Sequence, residues 1–272
     1  MKLKLLTITC LIVGSLCAQN NFEGIVADIK TREPLPFVNI GIINKNIGTV
    51  SNPNGFFNIP LNNSLKKDSI RFSIIGYKSI SRSVFSFSNE FRNGDTILLE
   101  PEDITLPEVV LIDKNWTHKT LGCKTKSKHI SAGFSNNELG NEVGVVIPIK
   151  NSPTVLKNFN FHINQNLYDS IIFRVNIYSL NNGIPERSLL TENIIIQTKI
   201  KSGQIKIDLR KYNIWVEEDF YIGLEMIQDH GNSGLFFSAK LLNGPIISRQ
   251  TSQGEWNQVK GVGLGFNVDV KY

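Results

Sequence analysis

Beyond residue 18, the hydrophobic residues of this chain fall in short runs rather than at helical spacing. Phe173-Arg174-Val175-Asn176-Ile177-Tyr178 alternates apolar and polar side chains with period two, the pattern of a half-buried strand. Elsewhere β-branched and aromatic runs are separated by clusters of Asn, Gly, Asp and Pro, and helical periodicity is almost absent. The pattern predicts an all-β protein. In the first half it predicts strands at Phe22–Asp28, Phe37–Ile43, Gly48–Ser51, Phe56–Ile59, Ser69–Ile75, Ser79–Val84 and Thr96–Leu99, a set that suits a small seven-stranded sandwich. In the second half about nine candidates, from Val143–Ile149 to Gly263–Val270, suggest a jelly-roll-like sandwich. Between the two, residues 101–131 break the pattern. Lys114, Lys119, Lys124, Lys126 and Lys128 fall there with few acids, and the stretch reads as an exposed linker. The expected organisation is therefore a first sandwich over residues 19–100, a linker over 101–131 and a second sandwich over 132–272.

The first 18 residues are different in kind. Lys2 and Lys4 precede the mostly apolar run Leu5–Cys17, whose end carries the small residues Gly14 and Ser15 and is followed by Ala18. At 13 residues the run is short of the roughly 20 that span a bilayer, so residues 1–18 read as a signal peptide cleaved after Ala18. The residues around Cys10 and Cys17 do not match a lipid-accepting site, so no lipid anchor is expected. Cleavage removes both cysteines and leaves Cys123 alone, which excludes an intramolecular disulfide. No later run is apolar enough for a transmembrane helix. The charge of +5 across 272 residues is too sparse for a nucleic-acid partner. Together these features predict export to the periplasm, or the periplasmic side of the outer membrane, in preference to the cell surface.

Four blocks carry a family resemblance. They are Gly24–Asp28, Glu33–Ile40, Gly48–Phe57 with its Asn52-Pro53-Asn54-Gly55 turn, and Ile74-Ile75-Gly76-Tyr77. Their spacing resembles the carboxypeptidase-like regulatory domain common in Bacteroidetes envelope proteins. The resemblance implies a transthyretin/Ig-like, seven-stranded sandwich and does not imply peptidase activity. The same module often precedes TonB-dependent receptors, where a short apolar motif follows it, and Leu106-Pro107-Glu108-Val109-Val110-Leu111 is similar to that motif. The roughly 160 residues after it are too few for a plug and a large barrel. The four blocks themselves are structural: Asn54-Gly55 supplies positive φ in a turn, and Phe56 or Phe57 enters the core.

Candidate chemistry is thin. His118, His129, His162 and His230 show no metal-binding spacing, and no cofactor or metal is expected. His230-Gly231-Asn232-Ser233-Gly234 fails the nucleophile-elbow pattern at Leu235 and reads as a hairpin loop. Cys123 reads as a lone surface thiol. Glu217-Glu218-Asp219 reads as a solvated acidic loop, with calcium as a minor alternative. Gly261-Val262-Gly263-Leu264-Gly265 marks a bend near the last strand. Trp256, flanked by Glu255 and Asn257, is the candidate for stacking on a ligand ring. The reading is a non-catalytic exported envelope protein that binds a partner protein or glycan, or serves a structural role. A hydrolase or peptidase-associated accessory protein is the alternative.

Overall fold

The computed structural model describes residues 21–102, 115–134, 137–231 and 234–272. The expected signal peptide, the motif Leu106–Leu111 and Ser233 lie outside those residues. The protein is all-β, in two sandwiches.

The first sandwich holds β1 (Asn21–Asp28), β2 (Asn39–Ile42), β3 (Gly48–Val50), β4 (Phe56–Pro60), β5 (Ser69–Ser73), β6 (Ile80–Ser83) and β7 (Thr96–Leu99). One sheet has the order β4-β1-β7, with β1 and β7 parallel, and the other has the order β3-β2-β5-β6. Period-two alternation sends Phe57 and Ile59 inward and leaves Phe56 40% exposed. Phe22, Phe57, Phe72 and Phe87 meet ring to ring at 4.8–6.2 Å in the centre. The turn before β4 is built as the sequence predicts. Gly55 has φ 73°, and the Asn52 side chain accepts from the amides of Asn54 and Phe56. A short helix that the strand pattern does not predict follows β6. Ser83 caps this helix, α1 (Val84–Glu90), by accepting from the Ser86 amide, and Val84 and Phe87 fall on its buried side.

The second sandwich begins earlier than expected. Residues His118–Gly122, assigned to the linker with the lysine-rich stretch around them, form β8, which pairs antiparallel with the C-terminal strand over His118↔Lys271 to Gly122↔Asn267. Lys119 misleads because β8 is an edge strand, where an outward lysine is tolerated and guards against edge pairing. After it come β9 (Ser131–Phe134), β10 (Glu142–Ile147), β11 (Thr154–Asn166), β12 (Ile171–Asn181), β13 (Ile184–Ser188) and β14 (Ile194–Thr198). The remaining strands are β15 (Gly203–Asp208), β16 (Trp215–Val216), β17 (Phe220–Met226), β18 (Leu235–Leu241), β19 (Ile246–Arg249), β20 (Asn257–Val259), β21 (Val262–Leu264) and β22 (Phe266–Lys271). One sheet runs β13-β12-β17-β10-β19-β20, with β14 also on β12. The other runs β21-β18-β11-β22-β8, with β15 and β16 also on β11 and β9 on β18. From β10 to β12 and again from β17 to β19, successive strands change sheet. Hydrophobic side chains from both sheets, including Phe159, Phe161, Phe173, Phe237 and Phe266, fill the space between. Gly265 makes the bend between β21 and β22, and a Cβ there would lie 2.6 Å from the Thr125 carbonyl.

The sandwiches touch. The outer face of the β12-β17-β10-β19 sheet packs against the β2–β5 side of the first sandwich. The Gln253 amide group donates to Ser73 Oγ at 2.9 Å, and the Asn44 amide donates to the Gln253 carbonyl at 2.9 Å. Gly41 and Gly48 permit the approach, since a Cβ on either would sit 2.2–2.3 Å from the Ser252 carbonyl.

Candidate functional site

The alternation in β12 places Phe173, Val175 and Ile177 in the core and Arg174, Asn176 and Tyr178 on the opposite face. The sequence pattern makes that second face solvent-exposed. The structure corrects this, because the first sandwich and neighbouring loops cover it: Arg174 is 2% exposed and Asn176 3%. Register aligns the polar residues of the four strands. Arg174 is opposite Glu225, Tyr178 is opposite Tyr221, and Glu142 lies between Glu225 and Arg249. The result is a buried cluster of two carboxylates and two guanidinium groups.

Its geometry is specific. Arg174 Nε donates to Glu225 Oε2 at 2.9 Å, and Asn176 donates to the same oxygen at 2.7 Å. Arg249 Nη2 donates to Glu142 Oε2 at 2.7 Å and lies 3.8 Å from Glu225 Oε1. Arg174 also reaches across to the first sandwich, donating to the Phe37 carbonyl at 2.9 Å and to Asn39 Oδ1 at 2.5 Å. Bidentate, planar arginine suits such multiple contacts better than lysine. Tyr221 lies flat over Gly144 and Gly223, where a Cβ would come within 2.6 Å and 2.2 Å of its ring and hydroxyl. Burial and the neighbouring Glu225 push the Glu142 carboxyl up to about 7, against the pull of Arg249. Burial works against the charge on Arg249, but Glu142 and its neighbours outweigh it and hold the guanidinium protonated. Burial, with Glu142 next, also raises Tyr178 and Tyr221 well above the usual phenol range.

A cavity of about 350 Å³ opens beside this cluster, between the two sandwiches. The first sandwich contributes Asn39, Arg71, Ser73 and Tyr77, and the second contributes Tyr178, Arg187, Arg249 and Trp256. Trp256 is thus on a cavity wall and half-buried, rather than the exposed ring its polar neighbours suggest. The Arg249 guanidinium sits 4.8 Å from its ring centre, and Tyr221 and Tyr178 meet it edge-on at 5.4 and 6.2 Å. Glu255 and Asn257 are exposed and do not line the cavity. Sequence reasoning missed Arg71, Arg187 and Arg249, because each looks like an ordinary surface arginine.

The other candidates resolve into structure. Cys123, expected on the surface, is buried at 9% exposure, and its amide donates to the Phe266 carbonyl beside the end of β8. His230 Nε2 accepts from the Ile172 amide at 3.0 Å, which fixes the loop before β18. Asp219 Oδ1 accepts from the Ile149 amide, so the Glu217–Asp219 loop ties β17 to the end of β10. Among the described residues no group of acidic, His or Cys side chains could hold a metal ion, and no helix is long and apolar enough to cross a membrane.

The hydrogen-bonded strand blocks of the first sandwich, its Gly55 turn, and Tyr77 donating to Asp28 Oδ2 at 2.9 Å stand where the sequence resemblance put its four motifs. Residues 22–111 match the CarboxypepD_reg-like domain. That domain covers the first sandwich and leaves the second outside the match. No curated protein matches the chain. Among solved structures, one of infectious bursal disease virus, Gx strain, is similar at 11% identity with a TM-score of 0.22, over 87% of this chain. This chain spans 60% of the viral one. A likeness at that TM-score bears on neither fold nor function. The match thus covers one wall of the cavity, and the second sandwich supplies the other.

Proposed function

We propose that this protein is a non-catalytic, exported envelope protein in which the CarboxypepD_reg-like domain and the second sandwich act together as a binding unit for a glycan or a partner protein. The hydrophobic leader supports export, to the periplasm or the periplasmic side of the outer membrane. The observation that carries the binding reading is the interdomain cavity, walled by both sandwiches, with the half-buried Trp256 and Tyr178 beside arginine, asparagine and serine side chains. Concave sites of roughly 300–1,000 Å³ with rings for contact and a few polar groups for orientation are the usual form of ligand sites. The buried Glu142 and Glu225 are each held by an arginine, an arrangement that supports a scaffold role for them over acid–base chemistry.

The test uses the mature chain and a form with Arg187→Glu and Arg71→Glu, which place charge in the cavity without touching the core. Binding to an oligosaccharide array or to envelope fractions by the mature chain, lost in the double variant, supports the reading. Binding that the double variant retains in full places the interaction elsewhere. Turnover in a broad hydrolase screen that a point substitution abolishes would replace this reading with the enzyme alternative. Recovery of an unprocessed cytoplasmic protein would remove the envelope assignment.

A further inference from the structure

The lining of the interdomain cavity is uneven in a way that selects among ligands. Four arginines reach it: Arg71, Arg174, Arg187 and Arg249. Two are committed. Arg174 is held by Glu225, and Arg249 by Glu142. Arg71 and Arg187 have no ion pair among the described residues. Arg71 Nη2 donates only to Ser79 Oγ, at 3.2 Å. They approach from opposite walls, Arg71 on β5 of the first sandwich and Arg187 on β13 of the second. Arg249 lines the cavity too, but its Nε is shut off from solvent, so it adds positive charge to the wall and leaves ligand contacts to Arg71 and Arg187.

From these features we infer that the cavity binds an acidic saccharide, with a carboxylate taken by Arg71 and Arg187 and a ring set against Trp256 and Tyr178. The inference rests on the binding reading above and names its ligand class. Arginine is the residue best shaped to take a carboxylate through two parallel donors. Flat apolar faces of sugar rings pack on aromatic side chains, and Trp256 is the larger of the two rings here. Glu102 and Glu186 also line the cavity, and Glu186 accepts from Asn181 at 2.9 Å. Those carboxylates disfavour a dense polyanion such as a nucleic acid or polyphosphate. They suit a ligand that brings hydroxyl donors along with an occasional negative charge. Asn39, Gln253 and Ser73 add neutral partners for further hydroxyls.

The experiment is calorimetric titration of the mature chain with a panel of uronate oligosaccharides and the same oligomers as methyl esters. Esterification removes the charge and leaves the rings. The acid forms are expected to bind at least tenfold more tightly than the esters, with affinity falling as salt rises. Arg71→Gln and Arg187→Gln are each expected to cost about tenfold in acid binding with an unchanged melting temperature, since both side chains are solvent-exposed. Equal binding of acids and esters, untouched by the arginine substitutions, overturns the assignment of an acidic ligand and leaves the cavity a site for neutral glycan. Silence of the whole panel, with a partner protein captured by the mature chain and lost in the Arg71→Glu, Arg187→Glu form, overturns the saccharide and keeps the binding unit. Silence of the panel together with partner binding that the double variant retains overturns both.

Discussion

Gly223 illustrates how one residue sets the form of the buried face. It carries no unusual φ, so its backbone would accept any side chain. What it lacks is room: a Cβ would stand 2.2 Å from the Tyr221 hydroxyl. Gly223→Ala is therefore expected to displace the Tyr221 ring and destabilise the protein by about 1–3 kcal/mol, read from urea unfolding. An unchanged midpoint would mean that the ring has another seat. Glu142 gives the second prediction at this scale. Its folded pKa, about 7, lies above the ordinary carboxyl value of 4.5. A raised acid adds nothing to instability below pH 4.5, where both states hold the proton. As pH climbs toward 7 the unfolded chain ionises first, so stability is lost across that window and the loss is complete above it. Wild-type stability should then fall between about pH 4.5 and 7 by up to about 3 kcal/mol from this group. Glu142→Gln should flatten that slope, and an unaltered slope in the variant would assign the pH dependence to other groups.

Strands of the first sandwich are legible in the sequence because each signal is local. Asn52-Pro53-Asn54-Gly55 needs only its own turn, and Phe57 only its own pleat. Elements whose nature depends on distant partners are not. The lysines around β8 suggest a linker until β22 is seen to pair with it, and nothing local announces α1, which forms where Val84 and Phe87 find a core to enter. The candidate site was partly legible for the same reason. Trp256 stands out by residue type, whereas Arg174 and Glu225 occupy the polar positions of alternating strands and look solvated until the first sandwich covers them. β8 carries its own prediction. Lys119 is exposed but its backbone is paired, Lys119↔Val270, and its ammonium lies 5.5 Å from the Tyr272 ring. Trypsin needs extended, detached backbone, so brief digestion of the native protein should spare the bond after Lys119 and cut there only once denaturant is added. Mass spectrometry showing that cut under native conditions would mean that β8 is not held in the sheet.

For the whole molecule the deciding contacts are those between sandwiches. Arg174 alone bonds to two groups of the first domain, and Gln253 bonds to two more. Beneath them lies a charge cluster that tolerates burial only while every partner is present. Several kcal/mol per ion are at stake when a buried charge is left unpaired, and removing one partner commonly costs about 3–5 kcal/mol. Separation of the sandwiches would admit water to Arg174 and strip it of the Phe37 and Asn39 acceptors. The two sandwiches should consequently unfold together, in one cooperative transition seen identically by calorimetry and by tryptophan fluorescence, although their cores are distinct. Trp116, Trp215 and Trp256 all belong to the second sandwich, so fluorescence reports that half while calorimetry reports both. Asn39→Ala, which removes an acceptor of Arg174 and of Ser252 without opening the first core, should weaken this coupling and separate the two signals. Two resolved transitions already present in the wild-type chain would show that the domains are stable independently and that the buried cluster belongs to the second sandwich alone.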